Sequence, residues 1–128
     1  MGRWVLDTNV LIDATRGDPR ALGLLDFLRQ ADEEIWSVTP VRTELWAGQR
    51  PGEIAIIHDL IDSISWLSVD GELADAAGRM AAVFRRNKPD IEFVDFLIAA
   101  ATRKLGADLL TLNVKDFPMF LDLEAAYT

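Results

Sequence analysis

The chain has 128 residues, with 21 acidic and 13 basic side chains, so its formal net charge is −8, and it contains no cysteine. This length predicts one domain over residues 1–128, because a chain of this size buries most of its apolar surface around a single core. The absence of cysteine excludes disulfides, thiolate zinc sites and thiol nucleophiles, so oxygen atoms or His58 would have to bind any metal ion. No apolar run approaches the roughly 20 residues that cross a bilayer, and no signal pattern precedes Asp7. We therefore expect a cytoplasmic protein without a membrane segment.

Short apolar runs alternate with helical patterns along the chain. Asp18 and Thr39 each precede a proline, a pattern typical of a helix that begins with a capping side chain. Gly17, Gly48 and Gly106 stand where helices are expected to end. In chain order the pattern predicts strand 3–6, helix 10–14, helix 19–30, strand 35–38, helix 41–46, helix 53–64, strand 66–69, helix 72–86, helix 91–105 and strand 108–111.

This alternation predicts an α/β fold. Strands joined through helices pair in parallel by right-handed crossovers, which gives a central parallel sheet with helices on both faces. The sheet has four strands, or five if the segment after Pro118 forms another. In such sheets ligands bind beyond the carboxyl ends of the strands.

Asp95 interrupts the apolar stretch of the helix predicted over 91–105. A buried carboxylate is costly unless a cation or a helix N-terminus compensates it. Asp95 lies about one turn too far into that helix to act as its cap. Two interpretations stay open, namely a buried ion pair with Arg42 as the candidate partner, and a functional site.

Further polar side chains follow the predicted strand ends. Asp7 closes the first strand, and Asn9 is better placed to cap the next helix, which leaves the Asp7 carboxylate for another role. Glu44 lies one turn into the helix after the second strand, and Asn113 and Asp116 follow the fourth strand. Taken singly, Asp7 could be a cap and Glu44 an exposed helical acid. Together, they are expected to meet at one edge of the sheet.

Carboxylates gathered at one edge repel one another by about 4 kcal/mol per close pair at an intermediate effective dielectric. They require cations, and an all-oxygen ligand set at an open edge favours Mg²⁺ or Mn²⁺ over Zn²⁺. Such ions stabilise the attacking and leaving oxygens of a phosphoryl displacement. The residues therefore predict a metal-dependent phosphodiesterase, although the net charge as a whole opposes a nucleic-acid substrate.

Four segments, at residues 5–12, 39–48, 95–101 and 110–117, carry a family resemblance in their order and spacing. Together they resemble the PIN-domain family, and specifically the VapC-like ribonuclease toxins of type II toxin-antitoxin pairs. The resemblance implies a three-layer α/β/α PIN-like fold and Mg²⁺- or Mn²⁺-dependent endoribonuclease activity, with 5′-phosphate and 3′-hydroxyl product ends. It also implies an RNA substrate, a VapB-like antitoxin partner and a homodimer.

The resemblance assigns Asp7, Glu44 and Asp95 to three acidic positions of the family's metal site. The fourth position falls either on Asn113, where the family often has Asp, or on Asp116 three residues later. We therefore expect all four acids to be catalytic and, together with Asn113, to bind the metal ion. The polar residues expected to support them are Thr8, Asn9 and Thr111.

An RNA substrate still requires positive surface on this acidic chain. Arg85, Arg86 and Lys88 precede the helix that carries Asp95, so we expect them to contact the RNA backbone. The alternative is that they are solvated cations at a helix C-terminus.

Two other functional classes are alternatives. A non-catalytic PIN-like binding module would keep the fold without the activity, and Asn113 keeps that alternative open. A phospho-accepting receiver domain has a similar length, but it needs an acid pair at the first strand, where this chain has Asp7 and Thr8. Metal-dependent cleavage would distinguish the nuclease from the binding module.

Overall fold

The computed structural model describes residues 2–128. The order of strands and helices agrees with the sequence-based prediction, and the ends of the elements differ by a few residues. The elements are β1 (Arg3–Leu6), α1 (Thr8–Thr15), α2 (Pro19–Gln30), β2 (Glu34–Val38), α3 (Thr39–Ala47), α4 (Ile54–Ser63), β3 (Ser65–Leu67), α5 (Gly71–Phe84), α6 (Phe93–Lys104), β4 (Asp108–Leu110) and a 3₁₀ turn over Val114–Asp116.

The strands form one parallel sheet in the order β3-β2-β1-β4. From β1 the chain moves to β2 and β3 in one direction and then crosses back over the sheet to β4. With right-handed crossovers, this reversal places α1–α4 on one face and α5 and α6 on the other. The predicted α/β fold with a parallel sheet is confirmed. The reversal brings the ends of β1 and β4 together, where ligands bind in such sheets.

The sheet has four strands within residues 2–128, so the fifth strand considered after Pro118 does not form. Asp122 adopts a positive φ of 61°, which turns the chain away from an extended path. Further along, the Ala126 N–H donates to the Thr111 carbonyl at 2.9 Å. The segment therefore contacts the chain just beyond β4 through this backbone hydrogen bond, but it does not form a strand.

The two predicted caps before prolines have different outcomes. Asp18 caps α2, because its Oδ1 accepts a hydrogen bond from the Arg20 N–H at 2.9 Å. Thr39 does not cap α3. It is the first residue of that helix, Val38 precedes it in extended conformation, and no side chain caps the helix. Pro40 lacks an N–H, so this helix start has one donor fewer to satisfy.

Helix α6 holds the position of Asp95 in the fold. It packs against β1, β2 and β4, and its residues Phe96 and Ile98–Ala101 are buried. The small alanines allow the helix to approach the sheet closely, opposite Val5 and Leu6 of β1 in the core. Since α6 is fixed along most of its length, its first turn is fixed as well.

Within residues 2–128, no helix combines the length and the apolar character required to cross a membrane.

Candidate active site

A cavity of about 270 Å³ opens where β1 and β4 end. Its lining comes from the residues after β1, from α3, from the start of α6 and from the turn after β4. Six carboxylates and no Lys, Arg or His side chain line it. The five residues predicted to bind a metal ion all line this cavity: Asp7, Glu44, Asp95, Asn113 and Asp116.

Asp7 is the N-cap of α1, and its side chain is buried. Its Oδ1 accepts a hydrogen bond from the Thr8 N–H at 2.7 Å. Its Oδ2 accepts one from Thr111 Oγ1 at 2.7 Å and one from Asn9 Nδ2 at 3.3 Å. Burial raises the pKa of Asp7, while the hydrogen bonds from Thr111 and Thr8 oppose the rise. The carboxylate is therefore held in a single orientation by three donors.

The prediction that Asn9 caps this helix is wrong. Helix α1 begins at Thr8, two residues earlier than predicted, so Asn9 lies in the first turn and Asp7 takes the cap position. Asn9 instead connects two parts of the site, because its Nδ2 donates to Asp7 and its Oδ1 accepts from the Leu112 N–H at 3.3 Å. It joins the start of α1 to the segment after β4.

Two threonines also hold the acidic residues in place. Thr8 Oγ1 donates to Glu44 Oε1 at 2.7 Å, which links the end of β1 to α3. Thr111 is fully buried, donates to Asp7, and accepts from the Asn113 N–H on the same Oγ1 at 2.9 Å. Each residue predicted as a polar support thus contacts Asp7 or Glu44 directly.

Asp95 lies in the first turn of α6, because the helix begins at Phe93 after Glu92 rather than at residue 91. As predicted, Asp95 does not cap the helix, because Glu92 takes the cap position; the later start of α6 places Asp95 closer to the helix N-terminus than expected. Burial, together with the negative charges of Asp7 and Asp116, raises the pKa of Asp95 to about 7, while the Glu92 backbone opposes the shift. Asp95 is destabilised as an anion in the metal-free protein.

Arg42 does not neutralise Asp95. Within residues 2–128 the two side chains form no ion pair, and the Arg42 guanidinium lies over the Trp66 ring, 5.4 Å from its centroid. The interpretation of Asp95 as the partner of Arg42 is wrong. The interpretation of Asp95 as part of a functional site stays a prediction.

Asn113 and Asp116 lie on one turn after β4. Asn113 is exposed, Asp116 is half-buried, and the Asp116 N–H donates to the Asn113 carbonyl at 3.0 Å. Both side chains line the cavity.

Two carboxylates of the cavity, Asp90 and Glu92, were not predicted from the sequence. Both are exposed and lie on the segment that joins α5 to α6. Their closeness in sequence to Asp95 was the available signal. Local patterns do not, however, determine the path of an irregular segment, so the sequence did not place them in the cavity.

The three cations expected to contact RNA differ in their surroundings. Arg85 is half-buried, and its Nη2 donates to the Pro89 carbonyl at 2.9 Å. Arg86 and Lys88 are exposed. Arg85 therefore stabilises the segment after α5, whereas the other two present their charge to solvent. His58 is exposed on α4 and does not line the acidic cavity.

The donor chemistry of the cavity fits a hard divalent cation. Its polar side chains offer oxygen atoms from carboxylates, an amide and a hydroxyl, which suit Mg²⁺ or Mn²⁺. Among residues 2–128, no three acidic or histidine side chains converge tightly enough to enclose an ion by themselves. Mg²⁺ commonly binds through one or two carboxylates and completes its coordination with waters, so a site for it does not need three converging carboxylates.

Known proteins resemble this chain over nearly its whole length. The family model described as PIN domain matches residues 4–118. Ribonuclease VapC19 of Mycobacterium tuberculosis is 41% identical over 123 residues, which cover 96% of this chain and 98% of that protein. Ribonuclease VapC10 of the same species is 32% identical over 123 residues, which cover 96% of this chain and 92% of that protein.

The fold is also present in solved structures. A chain in the crystal structure of VapBC2 from Rickettsia felis, bound to a DNA fragment from its promoter, matches with a TM-score of 0.74 at 20% identity. The match covers 96% of each chain. The family match, the full-length relatives and the shared fold lead to one conclusion: the chain is a VapC-like member of the PIN domain family.

Proposed function

We propose that this chain is a Mg²⁺- or Mn²⁺-dependent endoribonuclease and the toxin of a VapBC-type toxin-antitoxin pair. The observation that carries the proposal is the cavity at the ends of β1 and β4, lined by six carboxylates and no cation. An RNA phosphate would be repelled from such a cavity unless metal ions compensated its charge. The 41% identity to a protein named a ribonuclease supports RNA as the substrate.

Asp7, Glu44, Asp95 and Asp116 are the proposed catalytic acids. Together with Asn113 they would hold the metal ion. When bound, a divalent ion stabilises the negative charge on the attacking and leaving oxygens of a phosphodiester.

The remaining polar residues orient the acids. Thr111 and Asn9 donate to Asp7, and Thr8 donates to Glu44, so two carboxylates are positioned before any ligand arrives. Asp95 has a pKa of about 7 in the metal-free protein, so it exchanges its proton near neutral pH. Asp95 would lose that proton on holding a cation, because a neighbouring positive charge favours the ionised carboxylate.

The proposed partner is a VapB-like antitoxin that blocks the cavity. The support is the fold shared with a chain of a VapBC2 structure, together with the VapC names of the relatives. We propose a single PIN-like domain, residues 1–128, that acts in the cytoplasm, where its RNA substrate is found. Expression of the chain should arrest bacterial growth, and co-expression of its VapB-like antitoxin should restore growth.

The direct test is cleavage of end-labelled bacterial RNA by the purified chain with Mg²⁺ or Mn²⁺, with a chelator, and with the variant Asp95→Asn. Discrete cuts are expected only in the unsubstituted chain with metal, leaving 5′-phosphate and 3′-hydroxyl ends. Asp75→Asn is the matched control, because Asp75 is exposed on α5 and does not line the cavity. It should cleave like the unsubstituted chain.

Two results of this cleavage experiment would contradict the proposed function. Folded protein that cuts no RNA with either metal, or that cuts equally well with Asn at position 95, would indicate a non-catalytic binding module or a contaminating nuclease.

A further inference from the structure

We propose that a second cavity, beside the acidic one, binds a backbone phosphate of the RNA strand adjacent to the cleaved bond. This inference rests on the proposed ribonuclease function and identifies where the strand is held. The cavity has a volume of about 300 Å³ and lies between the segment after α5 and the turn after β4. We call it the lysine cavity; its lining is Asn87, Lys88, Pro89, Asp90, Ile91, Lys115 and Asp116.

The lysine cavity and the acidic cavity are contiguous. Asp90 and Asp116 line both of them and form the wall that they share. Asp116 is a proposed catalytic acid, so a group bound in the lysine cavity lies next to the reacting centre. A strand with one phosphate at the acids would place a neighbouring phosphate there.

The two lysines are available to bind an anion. Both are exposed, and within residues 2–128 no carboxylate lies within ion-pair distance of either ammonium group. Lys88 Nζ donates to the Lys115 carbonyl at 3.1 Å, which holds the Lys88 side chain across the cavity. An ammonium group has three donors, so two remain for phosphate oxygens.

Electrostatics favour such a site on this chain. The formal net charge is −8, and the acidic cavity contains no cation among its lining residues. Basic side chains close to the acids would therefore help to attract an RNA backbone. Lys88 and Lys115 place two cations at the edge of the reacting centre, with the exposed Arg86 nearby in sequence. The other charged residues of the lysine cavity, Asp90 and Asp116, also line the acidic cavity, so the metal ion proposed there would offset their charge.

The ligand class follows from the chemistry of the two side chains. Lysine binds phosphate as a point charge and reads no base edge, so it fixes the position of the strand without selecting a sequence. Loss of these lysines should therefore weaken binding of different RNA sequences to a similar extent.

The test measures the salt dependence of RNA binding. A labelled single-stranded oligoribonucleotide of mixed sequence is titrated with the full chain in the Asp95→Asn background, which prevents cleavage, over a range of NaCl concentrations. The variant Lys88→Gln/Lys115→Gln should reduce the slope of log Kd against log salt by about 0.7 for each lysine. In the otherwise unsubstituted chain, the same pair should raise KM and leave kcat unchanged.

Two control variants make the result specific. Arg79→Gln/Lys104→Gln removes the same charge from a separate cavity between α5 and α6, and the salt slope should stay as it was. Lys88→Arg/Lys115→Arg keeps the charge and should keep the slope. Equal slopes for the two glutamine pairs, in a protein that binds RNA, would overturn the lysine cavity alone. Failure of the unsubstituted chain to bind or cut any RNA would overturn the proposed function, and the lysine cavity with it.

Discussion

Asp7 and Asp95 line the same cavity but are held in opposite ways. Asp7 is buried and accepts hydrogen bonds from Thr8, Asn9 and Thr111. Asp95 is half-buried, lies near the negative charges of Asp7 and Asp116, and has its pKa raised to about 7. Burial raises the pKa of both carboxylates, but the hydrogen bonds to Asp7 oppose the rise and fix its orientation. Within residues 2–128, by contrast, Asp95 accepts no side-chain hydrogen bond, and it is destabilised as an anion until a cation or a proton binds.

The two carboxylates show two ways in which a folded domain accommodates acidic residues in one site. The carboxylate between β1 and β4 can be satisfied by donors of the fold itself, since the sheet edge supplies buried polar groups. The carboxylate at the start of α6 has mostly acidic neighbours, so its charge opposes folding in the metal-free state. Neutral substitutions at the two positions should therefore change the free energy of unfolding in opposite directions.

The largest loss of stability is expected for Asp7→Asn. The new amide places an N–H group against the donors that surrounded the carboxylate, which should lower the free energy of unfolding by about 1–3 kcal/mol. Loss of a metal-binding charge should also lower the cleavage rate by about 100-fold or more. Urea denaturation and single-turnover cleavage measure the two quantities, with Asp75→Asn as the control. Unchanged stability would mean that the three hydrogen bonds to Asp7 contribute little.

Asp95→Asn should abolish cleavage but stabilise the metal-free protein. The pKa of Asp95 is about 7 in the folded state against an ordinary value of 3.8, so the folded state binds more protons between these pH values. Stability of the unsubstituted chain should therefore fall as pH rises through this window. Above pH 7 the asparagine variant should be more stable by about 1 kcal/mol, once solvent screening of this half-buried group is allowed for.

Urea denaturation at several pH values in chelator checks this prediction. The stability difference between the two proteins should be small near pH 4, grow towards pH 7 and shrink again when Mg²⁺ is added. If the free energies of unfolding of the two proteins change with pH in parallel, the Asp95 carboxylate is not destabilised by burial and its acidic neighbours.

Thr111→Val tests the hydrogen-bonded side of the cavity without changing any charge. The variant keeps the shape of the side chain but removes the donor to Asp7 and the acceptor of the Asn113 N–H. Metal affinity, measured by calorimetry, should fall by about tenfold or more. Thr102→Val is the matched control, because Thr102 is also buried but donates to the Ile98 carbonyl within α6. Equal affinities in both variants would contradict a role of Thr111 in orienting Asp7.

Asn113→Asp addresses the fourth position of the metal site. An additional carboxylate in the cavity should raise metal affinity by about tenfold and destabilise the metal-free protein. Gln49→Glu adds the same charge at an exposed position outside the cavity and should change neither quantity. An affinity that stays constant in Asn113→Asp would leave Asp116 as the residue that fills this position.

The last substitution, Tyr127→Phe, should cause only a modest loss of stability. The Tyr127 hydroxyl donates to Asp13 Oδ2 on α1 at 2.6 Å, and burial raises the Tyr127 pKa, so the donor stays protonated. Removal of the hydroxyl should lower the free energy of unfolding by about 0.5–1.5 kcal/mol. The ring can stay beneath the Arg20 guanidinium, which lies 5.0 Å from its centroid. A loss of stability as large as that of Asp7→Asn would show that this contact matters more than the geometry indicates.

The order of the strands and helices, and the acids that follow them, could be predicted from local patterns of residues. Periods of two and 3.6 residues are local properties, so they identify strands and helices without knowledge of their neighbours. Parallel pairing then follows from the alternation, which is why Asp7, Glu44 and the residues after β4 were expected at one edge. The boundaries of α1 and α6 were less well predicted, and the earlier start of α1 changed the role of Asn9.

Only the tertiary structure decided which side chains satisfy or repel each other. Thr111 and Asp7 are separated by 104 residues, yet their hydrogen bond fixes the buried carboxylate. The placement of Arg42 on Trp66 depends on how α3 packs beside β3. The positions of Asp90 in the acidic cavity and of Lys115 beside it depend on segments between the longer helices and strands. Such segments follow from the packing of whole helices on the sheet, which no local pattern of residues encodes.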